Sequence, residues 1–498
     1  MPSPDDSART PLRFEPTLES LRSHTVPAWF HDAKLGIFMH WSLSSVPAFA
    51  PRGHDIHDLL RDDYWNSQPR SPYSEWYENS LRFPGSPVAT HHARVWGNRP
   101  YRDFQALWEA GLENWDPDAW AREFAAAGAR YFVLVAKHHD GYCLWPSRVA
   151  NPHRAGWFSK RDVVGELGEA VRRQGLRFGI YYSGGIDWTF NPAPLRTPAD
   201  FLASIPGGDY PAYAEAQTRE LIDRYAPDVL WNDIAWPGER DDLFALFADY
   251  YEAVPDGLVN DRWITPNRVT RALRWRPVRW LADALVARSI RKNGASLQPP
   301  PPPFCDVRTP EYTSFGSIQK KKWECVRGID SSFGYNRESL PEDHLSKTEL
   351  LESFVDMVSK NGNLLLNVGP RGEDATIPEI QSERLRWLGA FLDREGDALY
   401  GTRPWQRAEA TTRRGTQVRF TQKDGRLFAL FLAPKPGSET LPDLEAESSA
   451  VASTLGGESL PLGTTADGLE IELPDSVSGS PVMAVELRGV REREAAGS

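Results

Sequence analysis

The feature that most constrains the fold is a series of short apolar runs, each of which ends in polar or ionisable residues. One of them, VLVAKHHDGYCLW at 133–145, begins as a strand suited to a protein interior and ends in Lys137, His138, His139 and Asp140. Near-continuous apolar runs are typical of parallel strands that are buried on both faces. The sequence predicts eight such strands, at 35–41, 131–141, 177–185, 228–233, 257–263, 305–312, 331–336 and 362–370.

Helical patterns separate several of these strands. Apolar residues recur at helical spacing in five stretches, at 116–129, 161–175, 212–226, 241–254 and 346–362. Strands that alternate with helices imply a parallel sheet, and eight such units imply a closed barrel. We therefore predict an α/β fold, a (β/α)8 TIM-like barrel, with its active site at the C-terminal ends of the strands.

The pattern changes after about residue 400. Short alternating segments follow, and KDG at 423–425 fits a hairpin turn between two of them. We predict a catalytic barrel over residues 1–404 and a small C-terminal antiparallel β-sandwich over 405–498, whose strands end near residue 490.

Residues 264–303 form an atypical insertion within the predicted barrel. The segment is basic and ends in five consecutive prolines. A structureless insertion of this length is uncommon in a compact domain. A lid or a basic helix that binds a partner would explain it, but loop statistics favour a solvated excursion or a locally disordered insertion.

Composition excludes several classes of function. A formal charge of −11 argues against non-specific binding to nucleic acid, and no stretch approaches the roughly 20 uninterrupted apolar residues of a membrane span. The first residues lack the basic start and apolar run of an export signal, and three cysteines without CxxC spacing indicate reduced thiols. We expect a cytoplasmic protein with neither a nucleic-acid nor a membrane partner.

Two carboxylates at strand exits suit glycoside hydrolysis. Asp233 and Glu311 lie at the ends of two different predicted strands. In such a reaction one carboxylate attacks or stabilises the anomeric carbon, while the other protonates the leaving oxygen. A retaining enzyme holds the two carboxyl groups about 5 to 5.5 Å apart. The many aromatic residues suit either a large core or the stacking of sugar rings.

A metal site is the competing use of the same strand exits. His40, His138, His139 and Asp233 offer nitrogen and oxygen ligands. Neighbouring residues of a strand point to opposite faces, so the two adjacent histidines share one site only if the strand has already turned. The sequence therefore favours carboxylate chemistry without a metal or another cofactor.

Several long blocks carry a resemblance to a known family. WFHDAKLGIFMHWSLSSVPAF, SEWYENSL, AKHHDGYCLWPS, PDVLWNDIAWP, WECVRGIDSSFGYN and the block that starts VSKNGNLLLNVGPRGED closely resemble the α-L-fucosidases of glycoside hydrolase family 29. The resemblance runs from about residue 13 to 406 apart from the insertion, and is weaker in the predicted sandwich. It implies a retaining double displacement that releases α-linked L-fucose from an oligosaccharide or glycoconjugate, without a cofactor.

The resemblance also implies roles for individual residues. Asp233 in LWND matches the nucleophile of the family, and Glu311 in RTPEY matches the acid/base of close relatives. The implied fucose-binding residues are His40, Glu75, Trp76, His138, His139, Tyr181, Trp231, Arg262 and Phe333. Because fucose lacks a 6-hydroxyl, Phe333 and a tryptophan would cover its methyl group, while histidine and arginine side chains bind its hydroxyls.

Some alternatives stay open at this point. The acid/base position varies across the family and the insertion lies upstream of Glu311, so Glu324 and then Glu75 are the reserve candidates. A metal-dependent barrel hydrolase and a catalytically silent fucose-binding protein are the alternative functions. Asp140 and Asn367 are interpreted as structural. The sequence determines neither the linkage that is cleaved nor whether the protein is a homo-oligomer.

Overall fold

The computed structural model describes residues 13–293 and 301–493. Parallel strands form a curled sheet in the first part of the chain, in the spatial order β5-β4-β3-β2-β1-β7-β6. These strands are β1 Leu35–Met39, β2 Tyr131–Lys137, β3 Arg177–Tyr182, β4 Val229–Asn232, β5 Leu258–Val259, β6 Trp323–Gly328 and β7 Gly362–Val368. The predicted α/β barrel class is confirmed, but the described residues contain seven of these parallel strands and not eight.

The predicted strand at 305–312 is an extended segment between β5 and β6. Asp306 N donates to Val259 O of β5 at 3.1 Å, and Tyr312 N donates to Val326 O of β6 at 3.0 Å. The ladder is interrupted because Thr309 N bonds to a side chain and Pro310 has no N–H. The segment therefore occupies the place of an eighth strand without forming one.

The prediction of a strand at 331–336 is wrong, because this segment is a loop. Its backbone bonds to side chains: Gly334 N donates to Glu75 Oε2, and Phe333 O accepts from Asn367 Nδ2. The sixth strand is β6 instead, which pairs with β7 in parallel register. We did not predict β6 as a strand, since Glu324 and Arg327 interrupt its apolar run.

All five predicted helices are present, with ends that follow local capping rules. Asp116 begins α7 by accepting a hydrogen bond from Ala119 N, and Ser346 begins α14 with a capping box to Glu349. The helices are α1 Leu18–Leu21, α2 Ala28–Ala33, α3 Ile56–Asp62, α4 Tyr77–Leu81, α5 Pro87–Trp96, α6 Phe104–Gly111, α7 Pro117–Ala126, α8 Val163–Arg173, α9 Pro198–Ala203, α10 Tyr210–Tyr225, α11 Arg240–Ala253, α12 Arg268–Ala272, α13 Arg276–Asn293, α14 Lys347–Ser359 and α15 Glu379–Glu395.

Side chains fill the inside of the barrel. Alternate residues Tyr131, Val133 and Val135 of β2 point into it and pack with inward side chains of the other strands. The opposite strand faces pack against the helices in a second, larger cluster. Both faces of the sheet are thus apolar, which explains why the strands read as continuous apolar runs.

Residues 264–293 of the insertion are largely helical, so the expectation of local disorder is wrong for them, although most of their side chains are exposed to solvent. Residues 294–300 of the insertion lie outside the described residues. The helix α13 packs on α3 and α9 through the buried carboxylate of Asp283. This carboxylate accepts hydrogen bonds from Tyr64 Oη at 2.7 Å and from Thr197 Oγ1 at 2.8 Å. Ala287 and Ile290 of the same helix are buried beside Leu60.

Two antiparallel sheets follow the barrel and share one apolar core. The predicted hairpin at 423–425 is present, with Asp424 and Gly425 both at positive φ, as its tight turn requires. The strands are β8 Arg403–Thr411, β9 Gln417–Lys423, β10 Arg426–Leu432, β11 Gly437–Leu441, β12 Leu444–Thr454, β13 Ser459–Leu460, β14 Leu462–Thr465, β15 Gly468–Leu473 and β16 Val482–Glu492. The predicted division of the chain at residue 404 stays a prediction.

Two further properties bear on where the protein works. Across residues 13–293 and 301–493, no helix is both long and apolar enough to cross a membrane. Cys143, Cys305 and Cys325 are all free thiols. The cytoplasmic location stays a prediction, and a homo-oligomeric state stays a possibility that is not tested.

Candidate active site

Asp233 lies directly after β4, at the C-terminal end of the barrel. Its Oδ2 accepts a hydrogen bond from Tyr181 Oη at 2.7 Å. Its Oδ1 accepts from Arg262 Nη1 at 3.0 Å and from Ile234 N at 2.8 Å. Three hydrogen-bond donors from three positions in the chain therefore hold the carboxylate in place. Such donors bind most strongly to an ionised carboxylate.

The backbone turns sharply after each of the two carboxylates. Ile234 has φ 65° and lies inside a tight turn in which Ala235 N donates to Asp233 O at 2.8 Å. Tyr312, which follows Glu311, has φ 49°. A β-branched residue rarely adopts this left-handed conformation, and such strain is concentrated at functional sites. Both carboxylates are therefore followed by a residue in this conformation at the C-terminal end of the barrel.

Arg262 connects Asp233 with Glu311. Its Nη1 contacts Asp233 Oδ1 at 3.0 Å and its Nη2 contacts Glu311 Oε1 at 2.6 Å. Burial alone would lower the pKa of Arg262. The nearby carboxylates of Glu311 and Asp233 have the stronger effect, so the pKa lies above its usual value. One permanently charged guanidinium therefore holds both acids at a single site.

The long insertion does not displace Glu311. The described residues 264–293 follow Arg262 outside the barrel strands, and the described chain resumes at residue 301, before Asp306. Thr309 then donates to Asp261 Oδ1 through both its backbone N, at 3.1 Å, and its Oγ1, at 2.7 Å. These bonds join the two ends of the insertion close to the site.

His138 and His139 both reach the site, because β2 ends at Lys137 and the chain has already turned. Their ring centroids are 4.1 Å apart, and the ring of His138 stacks on Tyr181 at 5.9 Å. Nε2 of His139 lies 3.8 Å from Asp233 Oδ2. Burial holds the pKa of both histidines well below the usual value, so both rings are neutral at physiological pH.

Polar side chains hold the histidine rings in their orientations. Nδ1 of His139 lies 2.6 Å from Ser183 Oγ, and Nδ1 of His40 lies 2.6 Å from Asn367 Oδ1. Burial lowers the pKa of His40 to about 4. Asn367 also bonds to the loop at Phe333, because its Nδ2 donates to Phe333 O, and its structural role stays a prediction. Ser183 was missed, although it follows β3 at the exit where the barrel rule places functional residues.

An apolar corner surrounds Phe333. Its ring lies 5.1 Å from His40, 5.5 Å from Tyr73 and 5.3 Å from Tyr312. The two tyrosines were missed as site residues, although Tyr312 directly follows Glu311 and Tyr73 lies just before the SEWY block. The corner offers four ring faces or edges to a small apolar group.

Glu75 and Trp76 complete the pocket from a loop outside the barrel strands. Glu75 Oε2 accepts from Gly334 N at 2.8 Å, beside Phe333. Burial raises the pKa of the Glu75 carboxyl to about 7. Trp76 lies 4.9 Å from the ring of His139, and its other contacts include Phe201 of α9 at 5.1 Å.

Glu324 lies at the opposite end of the barrel. It is the second residue of β6, and its Oε1 accepts from Tyr131 Oη at 2.5 Å, where Tyr131 is the first residue of β2. The first residues of parallel barrel strands lie at the N-terminal face of the barrel, away from Asp233. Burial raises the pKa of Glu324 to about 7. As an acid/base, Glu324 is therefore less well placed than Glu311.

All of the predicted site residues belong to one contact network. Trp231 joins it through Tyr181, at a ring distance of 5.2 Å, and through Arg262, which lies 4.8 Å from the ring. Most of these side chains are buried, whereas the side chain of Glu311 is 29% exposed and that of Asp233 12%. Asp233 thus lies deeper within the site, and Glu311 lies nearer the solvent.

The histidines and acids of this network do not form a metal centre. Within residues 13–293 and 301–493, no group of three or more His, Cys, Asp and Glu side chains is arranged to hold a metal ion. The Nδ1 atoms of His40 and His139 are already used by Asn367 and Ser183. The donors of the pocket suit the hydroxyl groups of an organic substrate instead.

Comparison with known proteins identifies the family. A family model described as Alpha-L-fucosidase matches residues 3–397. The plasma alpha-L-fucosidase of Pongo abelii is 33% identical over 480 residues, which cover 94% of this chain and 90% of that protein. Two structures of Thermotoga maritima alpha-fucosidase, one in complex with fucose and one with a mechanism based inhibitor, are 41% identical with a TM-score of 0.79, and the match covers 95% of this chain and 100% of theirs. The chain therefore belongs to the alpha-L-fucosidase family, whose members hydrolyse fucosidic bonds.

Proposed function

We propose that this protein is a retaining exo-glycosidase that releases terminal α-L-fucose by double displacement. The observation that carries the proposal is the contact of one guanidinium, that of Arg262, with both Asp233 and Glu311. Contacts of 3.0 and 2.6 Å to the same group are compatible with the roughly 5 Å separation of carboxyl groups in retaining enzymes.

In the first step, a carboxylate oxygen of Asp233 attacks the anomeric carbon of fucose. The bond from this carbon to the leaving oxygen breaks, and Glu311 gives its proton to that oxygen. In the second step, Glu311 takes a proton from water while the water oxygen attacks the same carbon, and the bond to Asp233 breaks. Fucose leaves with its original anomeric configuration, and both carboxyl groups return to their first state.

The position of Glu311 supports its role as acid/base. Its side chain is the more exposed of the two carboxyl groups, so it faces the side on which a leaving group and an incoming water pass. Asp233 lies deeper, where three hydrogen-bond donors hold it. The depth of Asp233 supports exo action on a terminal sugar.

Substrate selection follows from the remaining side chains. The neutral rings of His40 and His139 suit sugar hydroxyls, and the corner around Phe333 suits the C6 methyl group of fucose. The related Thermotoga maritima structure in complex with fucose supports a fucosylated oligosaccharide or glycoconjugate as the substrate.

Hydrolysis of an aryl α-L-fucoside, followed by proton NMR, tests the proposal. We expect α-L-fucose as the first product and the same rate with and without a chelator. β-L-Fucose as the first product would mean inversion, and loss of activity with the chelator would mean a metal-dependent hydrolase. Fucose binding without turnover would identify a silent binding protein.

A further inference from the structure

The helix α13 carries an exposed apolar surface. Five of the nine large hydrophobic residues that are exposed in residues 13–293 and 301–493 lie within the insertion. These five are Val269, Trp275, Trp280, Leu281 and Leu285. Single exposed apolar residues are ordinary on a protein surface, but a cluster of them marks a site of interaction.

The same segment is strongly basic. Residues 268–292 contain eight Arg or Lys residues and one acid, in a chain of net charge −11. That acid, Asp283, is buried against α3 and α9. Among the described ranges, no ion pair joins Arg288, Arg291 or Lys292 to a carboxylate, whereas Arg279 pairs with Asp200 at 2.9 Å. Three cations are therefore available to an anionic ligand.

These cations line a concave site. A cavity of about 640 Å³ lies between α13 and Trp65, and its walls include Trp65, Trp280, Arg288, Arg291 and Lys292. No acidic residue lines it. Indole rings stack on the C–H faces of sugars, and guanidinium groups bind carboxylate or sulfate through paired hydrogen bonds.

We propose that this cavity binds an anionic sugar of the fucosylated substrate, one that carries a carboxylate or a sulfate. The proposal rests on the proposed function, because the anionic sugar belongs to the same glycan as the fucose. Arg279 of α13 pairs with Asp200 of α9, and the next residue, Phe201, packs on Trp76 of the pocket at 5.1 Å. A branched acidic glycan would occupy both sites at once.

The composition of the site and the charge of the chain favour a saccharide over a lipid bilayer. The open, concave site places two indole rings, those of Trp65 and Trp280, beside three cations. Outside the insertion the chain is acidic, which opposes close approach to an anionic membrane.

Isothermal titration with sugars that lack fucose tests the proposal apart from catalysis. The probes are 3′-sialyllactose, 3′-sulfolactose and neutral lactose, with the full chain and two variants. Trp280→Ala and the pair Arg288→Ala/Arg291→Ala remove the stacking face and the charge. Trp275→Ala/Arg276→Ala is the matched control, since both residues are exposed on the same segment and lie outside the cavity.

We expect the acidic probes to bind at least about tenfold more tightly than lactose, and the cavity variants to lose about tenfold in affinity while the control keeps it. Binding of only one acidic probe identifies the carboxylate or the sulfate as the ligand. Equal binding of lactose, no binding of either acid, or an equal loss in the control pair would overturn the proposal. Binding to phosphatidylglycerol vesicles without binding to the sugars would replace it with a membrane site.

Discussion

Ser183 fixes the proton of His139 on Nδ1. The Ser183 hydroxyl donates to Ile186 O at 2.6 Å, so its oxygen accepts the hydrogen of His139 Nδ1, which lies 2.6 Å away. Because burial keeps His139 neutral, Nε2 carries the lone pair. This atom lies 3.8 Å from Asp233 Oδ2, so it is placed to accept a hydrogen from a sugar hydroxyl beside the nucleophile.

Ser183→Ala removes the partner that selects this tautomer. We expect kcat/KM for an aryl α-L-fucoside to fall about fivefold, since one neutral hydrogen bond contributes about 1 kcal/mol. The loss should disappear with the deoxy-fucoside that lacks the hydroxyl bound by His139. Ser359→Ala removes another buried hydroxyl, on α14 outside the barrel, and serves as the control. An equal loss with every deoxy substrate would contradict this role of Ser183.

The two catalytic roles predict different products with azide. Asp233→Ala should lower kcat by about 10,000-fold or more, as removal of a nucleophile does in other enzymes. Azide can then take the vacated position and attack the substrate itself, which yields β-L-fucosyl azide. Glu311→Ala keeps the nucleophile, so azide attacks the fucosyl-enzyme and yields α-L-fucosyl azide. NMR of the isolated azides distinguishes these outcomes.

Glu324→Ala and Glu75→Ala are the comparisons for the acid/base assignment. Neither should give a fucosyl azide, because Glu324 lies at the other end of the barrel and Glu75 is held by Gly334 N. If Glu324→Ala or Glu75→Ala yields α-L-fucosyl azide and Glu311→Ala does not, the acid/base role moves to that residue.

The sequence predicted the barrel class correctly, but not the strands of its second half. Asp233, Arg262 and His139 were found because strand exits meet at one edge of a barrel. The segment 331–336 contains only two strand-forming residues, Phe333 and Tyr335, and its backbone bonds to Glu75 and Asn367, which come from distant parts of the chain. Such tertiary hydrogen bonds leave no periodicity in the sequence.

The strand β6 was missed for the opposite reason. Its charged residues Glu324 and Arg327 break the apolar run, although Glu324 is buried and satisfied by Tyr131. The docking of α13 was also missed, since it depends on Asp283 meeting Tyr64, 219 residues earlier in the chain. Local patterns do not report pairings of this kind.

The raised pKa of Glu324 predicts that the stability of the fold depends on pH. Burial raises its pKa from 4.5 to about 7, so the folded state binds the proton more tightly than the unfolded state. The group therefore stabilises the fold fully below about pH 4.5, and that stabilisation is lost as the pH rises to about 7. The loss is about 3 kcal/mol, from the size of the pKa shift.

Glu324→Gln abolishes this titration. The free energy of unfolding is measured in urea at pH 5 and pH 8 for the variant and the native protein. The value of the variant minus that of the native protein should be about 3 kcal/mol larger at pH 8 than at pH 5, so the variant gains relative stability at the higher pH. Glu447→Gln, at an exposed position, should show no such change. A difference of the opposite sign would mean that Glu324 is ionised in the fold.

Substitution of Asp283 tests whether the packing of the insertion on the barrel is needed for the active site. Asp283→Ala leaves Tyr64 Oη and Thr197 Oγ1 without their acceptor, at a cost of about 1–3 kcal/mol. We expect faster proteolysis within 264–293, seen by mass spectrometry, with Arg276→Ala as the exposed control on the same helix. Because the bonds between Thr309 and Asp261 hold the Glu311 segment independently, kcat/KM for an aryl fucoside should stay within about twofold of the native value. A loss as large as that of Glu311→Ala would show that α13 positions the acid/base.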